Sequence, residues 1–118
     1  MNKFLQNFGK IFIEDVRDRT ISDIDMIIGG KFLNKSDLDV AENFSSLDIK
    51  SKEFIKMIIP EIVDNCLHNF LNMFEEHEEI NLLFDGQNLN HLSDGLAGEL
   101  YTEDGWIQNF TRERYTEK

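Results

Sequence analysis

The stretch from Ser51 to His77 constrains the fold more than any other part of the chain. Its apolar residues recur at steps of three and four positions, which is the period of a helix with a broad buried face. These residues are Phe54, Ile55, Ile58, Ile59, Ile62, Val63, Cys66, Leu67, Phe70, Leu71 and Phe74. The pattern therefore predicts a long central helix around which a helical bundle is built.

Pro60 is the only proline in the chain and lies inside this stretch. A proline removes a backbone donor and crowds the carbonyl group four residues earlier, so we expect a kink or a break there. In a straight helix, Phe54, Met57 and Ile58 would fall on the polar side with Glu61. We therefore predict two helical arms that meet at Pro60, with the apolar face rotating by roughly 120° between them.

The chain before this stretch predicts shorter helices. Residues 3–18 have the pattern of an amphipathic helix. A second helix is expected to begin at Thr20 or Ser22 and to end at Gly29–Gly30, because glycine adopts the left-handed conformation that terminates helices. Ser36 is the expected start of a third helix.

After His77 the period changes to that of a β-hairpin. Residues 80–84 read as a short strand, and Asp85–Gly86 is a strong signal for a tight turn, so the partner strand is expected at 88–92. An isolated hairpin is only marginally stable, and it must therefore pack on the helices. Trp106 has helical spacing with its neighbours and is expected to close the core.

Length and composition set the class of the protein. At 118 residues, with 41% hydrophobic and 30% charged residues, the chain is predicted to form one mainly α-helical domain with a short hairpin near residues 80–92. The last six or so residues are expected to be frayed. One cysteine excludes an internal disulfide. The chain has no signal-peptide pattern and no apolar run near the ~18 residues of a membrane span, so we expect a cytoplasmic protein without a membrane partner.

The charge is distributed unevenly along the chain. The net charge of −11 arises entirely from residues 57–111, which contain 11 acids and no Lys or Arg, whereas the remaining residues hold 12 of each sign. We call residues 57–111 the acidic segment. Direct binding of nucleic acid requires clustered Lys and Arg, and is therefore not expected. A basic protein surface or a divalent cation is the natural counterpart.

The candidate partner-binding residues come from this acidic segment. Asp64 and His68 lie one turn apart on the predicted polar side of the central helix. The full set is Asp64, His68, Glu75, Glu76, Glu78 and Glu79, with Asp94, Glu99, Glu103 and Asp104 as a second group. No cofactor and no metal ligand set is predicted.

Motifs that resemble catalytic sites fail on their spacing. His77-Glu78 begins a zinc-protease pattern, but Asn81 stands where the second histidine is required. His91, Ser93 and Asp94 are the residue types of a nucleophilic triad, yet near neighbours on one short strand cannot adopt that geometry. The sequence therefore predicts a protein that is not an enzyme.

The tail contains LSDGLAGEL at residues 92–100 and EDGWI at residues 103–107. These two motifs resemble the C-terminal signature of small uncharacterised bacterial proteins, a resemblance that implies no particular activity. In size, acidity and lack of catalytic motifs, the chain is also similar in general type to the immunity proteins that neutralise bacterial toxins.

The leading hypothesis is a non-enzymatic interaction protein whose acidic segment docks a basic protein surface, with an immunity or inhibitor protein as its concrete form. The alternative is a small-molecule or divalent-metal binding domain that uses the hairpin and the Ser93–Trp106 tail. Homodimerisation stays open, because a chain with ten Phe residues can leave an apolar patch exposed.

Overall fold

Helices make up most of the chain in the computed structural model, which describes residues 2–101 and 103–116. The first half consists of α1 (Lys3–Phe12), a π-helical segment (Ile13–Asp18), α2 (Arg19–Ile28), α3 (Lys35–Ser45) and α4 (Ile49–Glu76). The second half consists of β1 (Leu83–Phe84), β2 (Gln87–Asn88), α5 (Leu89–Leu92), a 3₁₀ helix (Ala97–Leu100) and α6 (Trp106–Phe110). The predicted fold class, mainly α with one small antiparallel hairpin, is confirmed.

The first helical run is longer than the sequence pattern predicted. The chain stays helical from Lys3 to Ile28, so the predicted new start at Thr20 or Ser22 is wrong. The π-helical segment carries Arg17 into the core, where Asp64 of α4 binds it, and this tertiary contact favours continued helix over a local cap.

The end of α2 follows the prediction. Gly30 has a φ of +76°, which is the left-handed conformation, and the Lys31 amide donates to the carbonyl of Met26 at 2.9 Å. This bond spans the glycine pair and closes the helix end.

The central helix α4 runs unbroken through Pro60. Phe54 and Met57 are 54% and 62% exposed, so they lie on the solvent side where a straight helix places them. The predicted rotation of the apolar face is therefore wrong. Ile59 and Val63, on either side of the proline, are both buried in the core, and this shared packing holds one helix direction across Pro60.

The hairpin turn forms where it was predicted. Asp85 and Gly86 have φ values of +50° and +77°, and Leu83 pairs with Asn88 across the two strands. The partner strand is shorter than predicted, because α5 begins at Leu89. The side chain of Asn88 accepts a hydrogen bond from the Asn90 amide at 3.0 Å and caps this helix.

Trp106 closes the core against α1, as predicted. Its side chain is fully buried, and its ring lies so close to Gly9 that a Cβ at that position would be 2.5 Å from the indole. The rings of Phe8 and Phe12 surround it at centroid distances of 5.7 and 6.3 Å. A glycine inside α1, unfavourable for an isolated helix, is explained by this close approach.

The C-terminal residues 111–116 contact the helices, and Glu117 and Lys118 lie outside the described residues. Arg114 donates to both carboxylate oxygens of Asp25 at 2.7 and 3.0 Å and to the carbonyl of Lys56 at 3.0 Å. The hydrogen bond with Asp25 raises the pKa of Arg114. These contacts tie Arg114 to α2 and α4, and fraying of the last six or so residues stays a prediction.

Candidate protein-interaction surface

Four glutamates cluster where α4 ends. Glu75 and Glu76 lie in the last turn of the helix, Glu78 and Glu79 follow it, and all four are exposed. The last turn of α4 contains no basic residue. Carboxylates at this end face the negative pole of the helix dipole, which typically costs about 0.3–1 kcal/mol for each charge. Their placement therefore does not arise from the stability of the helix.

Residues 93–101 lie along the C-terminal half of α4. A Cβ added to Gly95 would be 2.9 Å from Oε1 of Glu75, and the ring of Tyr101 lies 5.9 Å from that of His68. The segment thus passes from the end of α4 back toward its middle. Asp94 consequently lies at the same end of α4 as Glu75.

Asp94 and Ser93 line a polar cleft beside Glu75. Ser93 donates its hydroxyl proton to Oε2 of Glu99 at 3.0 Å and accepts a hydrogen bond from the Gly95 amide at 3.1 Å. The cleft, of about 280 Å³, is lined by Glu75, Asp94 and Ser93 among others. Asp94 is exposed and Glu99 is half-buried. The carboxylates of Glu75 and Asp94 therefore face solvent, whereas the carboxylate of Glu99 is held by Ser93.

Glu103 and Asp104 lie in the turn that precedes α6, and both are exposed. The carbonyl of Asp104 accepts a hydrogen bond from the side chain of Asn109 at 3.0 Å, which fixes the turn on α6. We define the acidic surface as the carboxylates of Glu75, Glu76, Glu78, Glu79, Asp94, Glu99, Glu103 and Asp104.

Asp64 does not belong to this surface. It is 2% exposed and accepts hydrogen bonds from Nε and Nη2 of Arg17 at 2.6 and 3.3 Å. Its assignment as an exposed partner-binding residue is therefore corrected. The physical reason is that a buried arginine requires a paired carboxylate, and α4 supplies one at this position.

His68 is half-buried instead of lying on an open polar face. Its ring packs beside Tyr101, and its buried Nδ1 has no hydrogen-bond partner among the described residues. The predicted surface pair of Asp64 and His68 is likewise corrected, since both carboxylate oxygens of Asp64 accept from Arg17. His68 packs against Tyr101 instead of forming a charged pair with Asp64.

Basic side chains from the two ends of the chain leave the acidic surface unneutralised. Arg17 forms an ion pair with Asp64. Among the other described acids of the acidic segment, Glu61 excepted, none forms an ion pair with Lys or Arg. At the edge of the surface, His77 lies 2.9 Å from Glu79, and Asn72 donates to Glu76 at 2.7 Å. The net negative charge of the sequence is thus retained on the folded surface.

Arg17 is the residue that sequence reasoning missed, although a signal for it exists. Ile13, Arg17 and Ile21 are spaced four apart and share one helix face, and all three are fully buried. A charged residue in an apolar row indicates a buried ion pair. The sequence could have revealed the arginine by this argument, but not the identity of its partner.

The alternative of a metal or small-molecule site gains little from the geometry. In the described part of the chain, no group of three or more His, Cys, Asp or Glu side chains is placed to hold a metal ion. Trp106, at the end of the tail that this alternative invoked, is fully buried and cannot line a ligand site.

None of the described helices combines the length and apolar character that crossing a bilayer requires.

Comparisons with known proteins give no family assignment. No family model matches the sequence, and no curated protein and no solved structure is significantly similar to it. The resemblance of the tail to small bacterial proteins accordingly stays a prediction.

Proposed function

We propose that this protein is a non-enzymatic interaction protein whose acidic surface docks a basic surface on another protein. The observation that carries the proposal is the retained charge: residues 57–111 contain eleven acids and no Lys or Arg, and eight of these carboxylates have no Lys or Arg partner among the described residues. Scattered lysines would serve solubility equally well, so a requirement for solubility does not explain their absence.

The position of the glutamates supports the same proposal. Glu75 and Glu76 oppose the dipole of α4, and four like charges within five residues repel one another. An arrangement that works against local stability is best explained by an interaction outside the chain. A concentrated negative field accelerates encounter with a positive surface and excludes partners of the same sign.

The concrete form of the proposal is an immunity or inhibitor protein. A toxin that acts on nucleic acid needs a positively charged cleft to bind phosphates. Carboxylates arrayed as on the acidic surface can occupy such a cleft in place of phosphates, which blocks the toxin without any chemistry by the inhibitor. This function requires no catalytic residue.

The experiment begins with capture of partners on the immobilised protein from an extract of the cells that produce it. Capture is compared at about 0.1 M and about 1 M salt, where the Debye length falls from about 10 Å to about 3 Å. Binding of the purified captured protein is then measured directly. The test variant combines Glu75→Gln, Glu76→Gln, Glu78→Gln and Glu79→Gln.

A matched control removes the same number of charges elsewhere on the molecule. It combines Asp23→Asn, Asp39→Asn, Glu42→Gln and Glu53→Gln, all of them at exposed positions outside the acidic segment. We expect the test variant to associate at least ~10-fold more slowly than the control, and we expect high salt to weaken binding of the unaltered protein. Equal capture at both salt concentrations, or equal association rates of the two variants, would contradict the proposal.

A further inference from the structure

A groove lined mainly by apolar side chains runs between α3 and the first part of α4. It consists of two adjoining depressions of about 460 and 410 Å³, and both are lined by Leu47 and Ile55. We define the α3–α4 groove by its apolar lining, namely Ile28, Val40, Phe44, Leu47, Phe54 and Ile55. Its size and its lining are those of sites that bind small molecules.

The helix α3 has an apolar side that the described part of the chain covers only in part. None of its eleven residues is buried. Val40 is 44% exposed, and Phe44 is half-buried. A helix of this length is marginal in water and depends on the packing of its apolar side. A ligand in the α3–α4 groove supplies packing that α3 lacks.

The charged groups that line the α3–α4 groove lie in different depressions. Lys50 lines the depression of about 410 Å³, whereas Asp39 lines the other one. Lys50 forms no ion pair within residues 2–101 and 103–116. The groove therefore suits an elongated apolar molecule with one anionic end, which lies near Lys50 and away from Asp39.

Two other charged groups lie near Lys50. The Nζ of Lys52 is 5.9 Å from the centre of the Phe44 ring. The carboxylate of Asp48 accepts a hydrogen bond from the Ser51 amide at 2.7 Å, so it caps α4 and does not pair with Lys50. Lys50, Lys52 and Asp48 together carry a net positive charge, which complements an anion.

We propose that the α3–α4 groove binds a free fatty acid, with its carboxylate beside Lys50 and its chain along Leu47 and Ile55 toward Ile28. A fatty acid combines a chain that the apolar lining can bury with one anionic group for the lysine. The apolar residues line a concave groove, which accommodates a single chain, whereas attachment to a bilayer uses a protruding apolar side. This inference is independent of the proposed function, because the groove lies outside the acidic segment.

The first test titrates the full, unaltered chain with decanoate below its micelle concentration, followed by calorimetry and by NMR spectra of the backbone amides. We expect one molecule bound per chain, with the largest shifts at residues 39–47 and 50–55. Octanoate, decanoate and dodecanoate should bind successively more tightly, by about two- to fourfold for each added CH₂ group that the groove buries.

A second test changes the apolar lining. Val40→Asp places a charge in the groove and should weaken the binding of decanoate at least ~10-fold. Leu38→Asp is the matched control, because Leu38 is 41% exposed against 44% for Val40 and belongs to the same helix but does not line the groove. We expect the control to bind decanoate as the unaltered chain does.

A third test reverses the charge of the lysine. Lys50→Glu should weaken the binding of decanoate at least ~5-fold, because attraction of the carboxylate is replaced by repulsion. Lys56→Glu is the matched control on the same helix, since Lys56 is also exposed but lines a separate pocket beside Tyr115. It should leave the affinity for decanoate nearly unchanged.

Three results would overturn the proposal. The first is a titration of the unaltered chain without shifts at residues 39–47 and 50–55, or with several molecules bound per chain. The second is equal weakening by a test variant and its control, with circular dichroism verifying that both fold. The third is a chain that ignores decanoate but self-associates, or binds phosphatidylglycerol vesicles, through Val40. That result would assign the groove to a second copy or to a bilayer.

Discussion

Two groups of carboxylates in this protein differ in their burial and in their partners. Asp64 and Asp18 belong to a buried network with Arg17 and Thr111. In this network, Arg17 donates to Asp64 at 2.6 Å and to Thr111 at 2.8 Å, and Thr111 donates to Asp18 at 2.6 Å. The carboxylates of the acidic surface are largely exposed and, within the described residues, have no Lys or Arg partner.

The comparison separates carboxylates that hold the fold together from carboxylates that are free to bind a partner. The buried network joins the first helical run, α4 and the C-terminal residues, because each of its members comes from one of these three segments. The acidic surface joins nothing within the chain. Substitutions in the two groups should therefore have opposite consequences for stability and for binding.

The largest effect is expected from Asp64→Ala. The substitution leaves the Arg17 guanidinium buried without its carboxylate, which typically lowers the free energy of unfolding by about 3–5 kcal/mol. Chemical denaturation monitored by the signal of Trp106 measures the change. Glu79→Ala is the control and should change the free energy of unfolding by less than about 0.5 kcal/mol. A small loss for Asp64→Ala would remove the distinction between the two groups.

A double variant tests whether apolar side chains can replace the buried pair of Arg17 and Asp64. Arg17→Met with Asp64→Leu replaces the pair by apolar side chains of similar size, which in other proteins has often been neutral or stabilising. We expect it to recover most of the stability lost in Asp64→Ala, as measured in the same unfolding experiment. A double variant as unstable as the single one would mean that the polar network itself is required for folding.

Thr111→Val should have the second-largest effect. It removes a hydroxyl that accepts from Arg17 and donates to Asp18 while keeping the shape of the side chain. Loss of these bonds to charged groups should lower the free energy of unfolding by about 1–3 kcal/mol. Protection of the amides of residues 111–116 from hydrogen exchange should fall in parallel. Unchanged protection would show that Thr111 does not hold the C-terminal residues.

Arg114→Gln should lower the free energy of unfolding by less than Thr111→Val does. The side chains of Arg114 and Asp25 are 36% and 33% exposed, so solvent screens this ion pair and its loss should cost up to about 1 kcal/mol. The cost should shrink further at high salt. A loss as large as that of Asp64→Ala would place Arg114 in the same class as the buried network.

Glu75→Gln with Glu76→Gln should act in the opposite direction. Removing two negative charges from the C-terminal end of α4 relieves repulsion with the helix dipole and should raise the free energy of unfolding by about 0.3–1 kcal/mol. The same variant should bind the proposed partner more weakly. A loss of stability on this substitution would indicate that these glutamates support the fold.

The smallest effect concerns Asp48, at the other end of α4. Its carboxylate accepts a hydrogen bond from the Ser51 amide at 2.7 Å, which lowers the pKa of Asp48 below the ordinary value of 3.8. The stabilisation by Asp48 is therefore present above pH 3.8 and is lost as the pH falls through the lower pKa of the folded state. Asp48→Ala should destabilise the protein at neutral pH, and the difference should narrow in acid.

Local signals in the sequence accounted for much of the fold. The glycine pair at the end of α2, the Asp85–Gly86 turn and the helical period of α4 each depend on neighbours along the chain, so they could be predicted. The strand expected at 88–92 failed beyond Asn88, because the side chain of Asn88 caps a helix that starts at Leu89. The candidate site was predicted as a set of acids, but not with Asp64 correctly placed.

The sequence by itself determined where the charge lies along the chain and which residues share a helix face. Only the tertiary structure decided which faces a neighbour covers. Asp64 is buried because Arg17 meets it from a segment 47 residues away, whereas Phe54 and Ile62 of the same helix stay more than half exposed. A helical period specifies which residues lie on the same side of a helix, whereas burial of that side depends on contacts between segments distant in sequence.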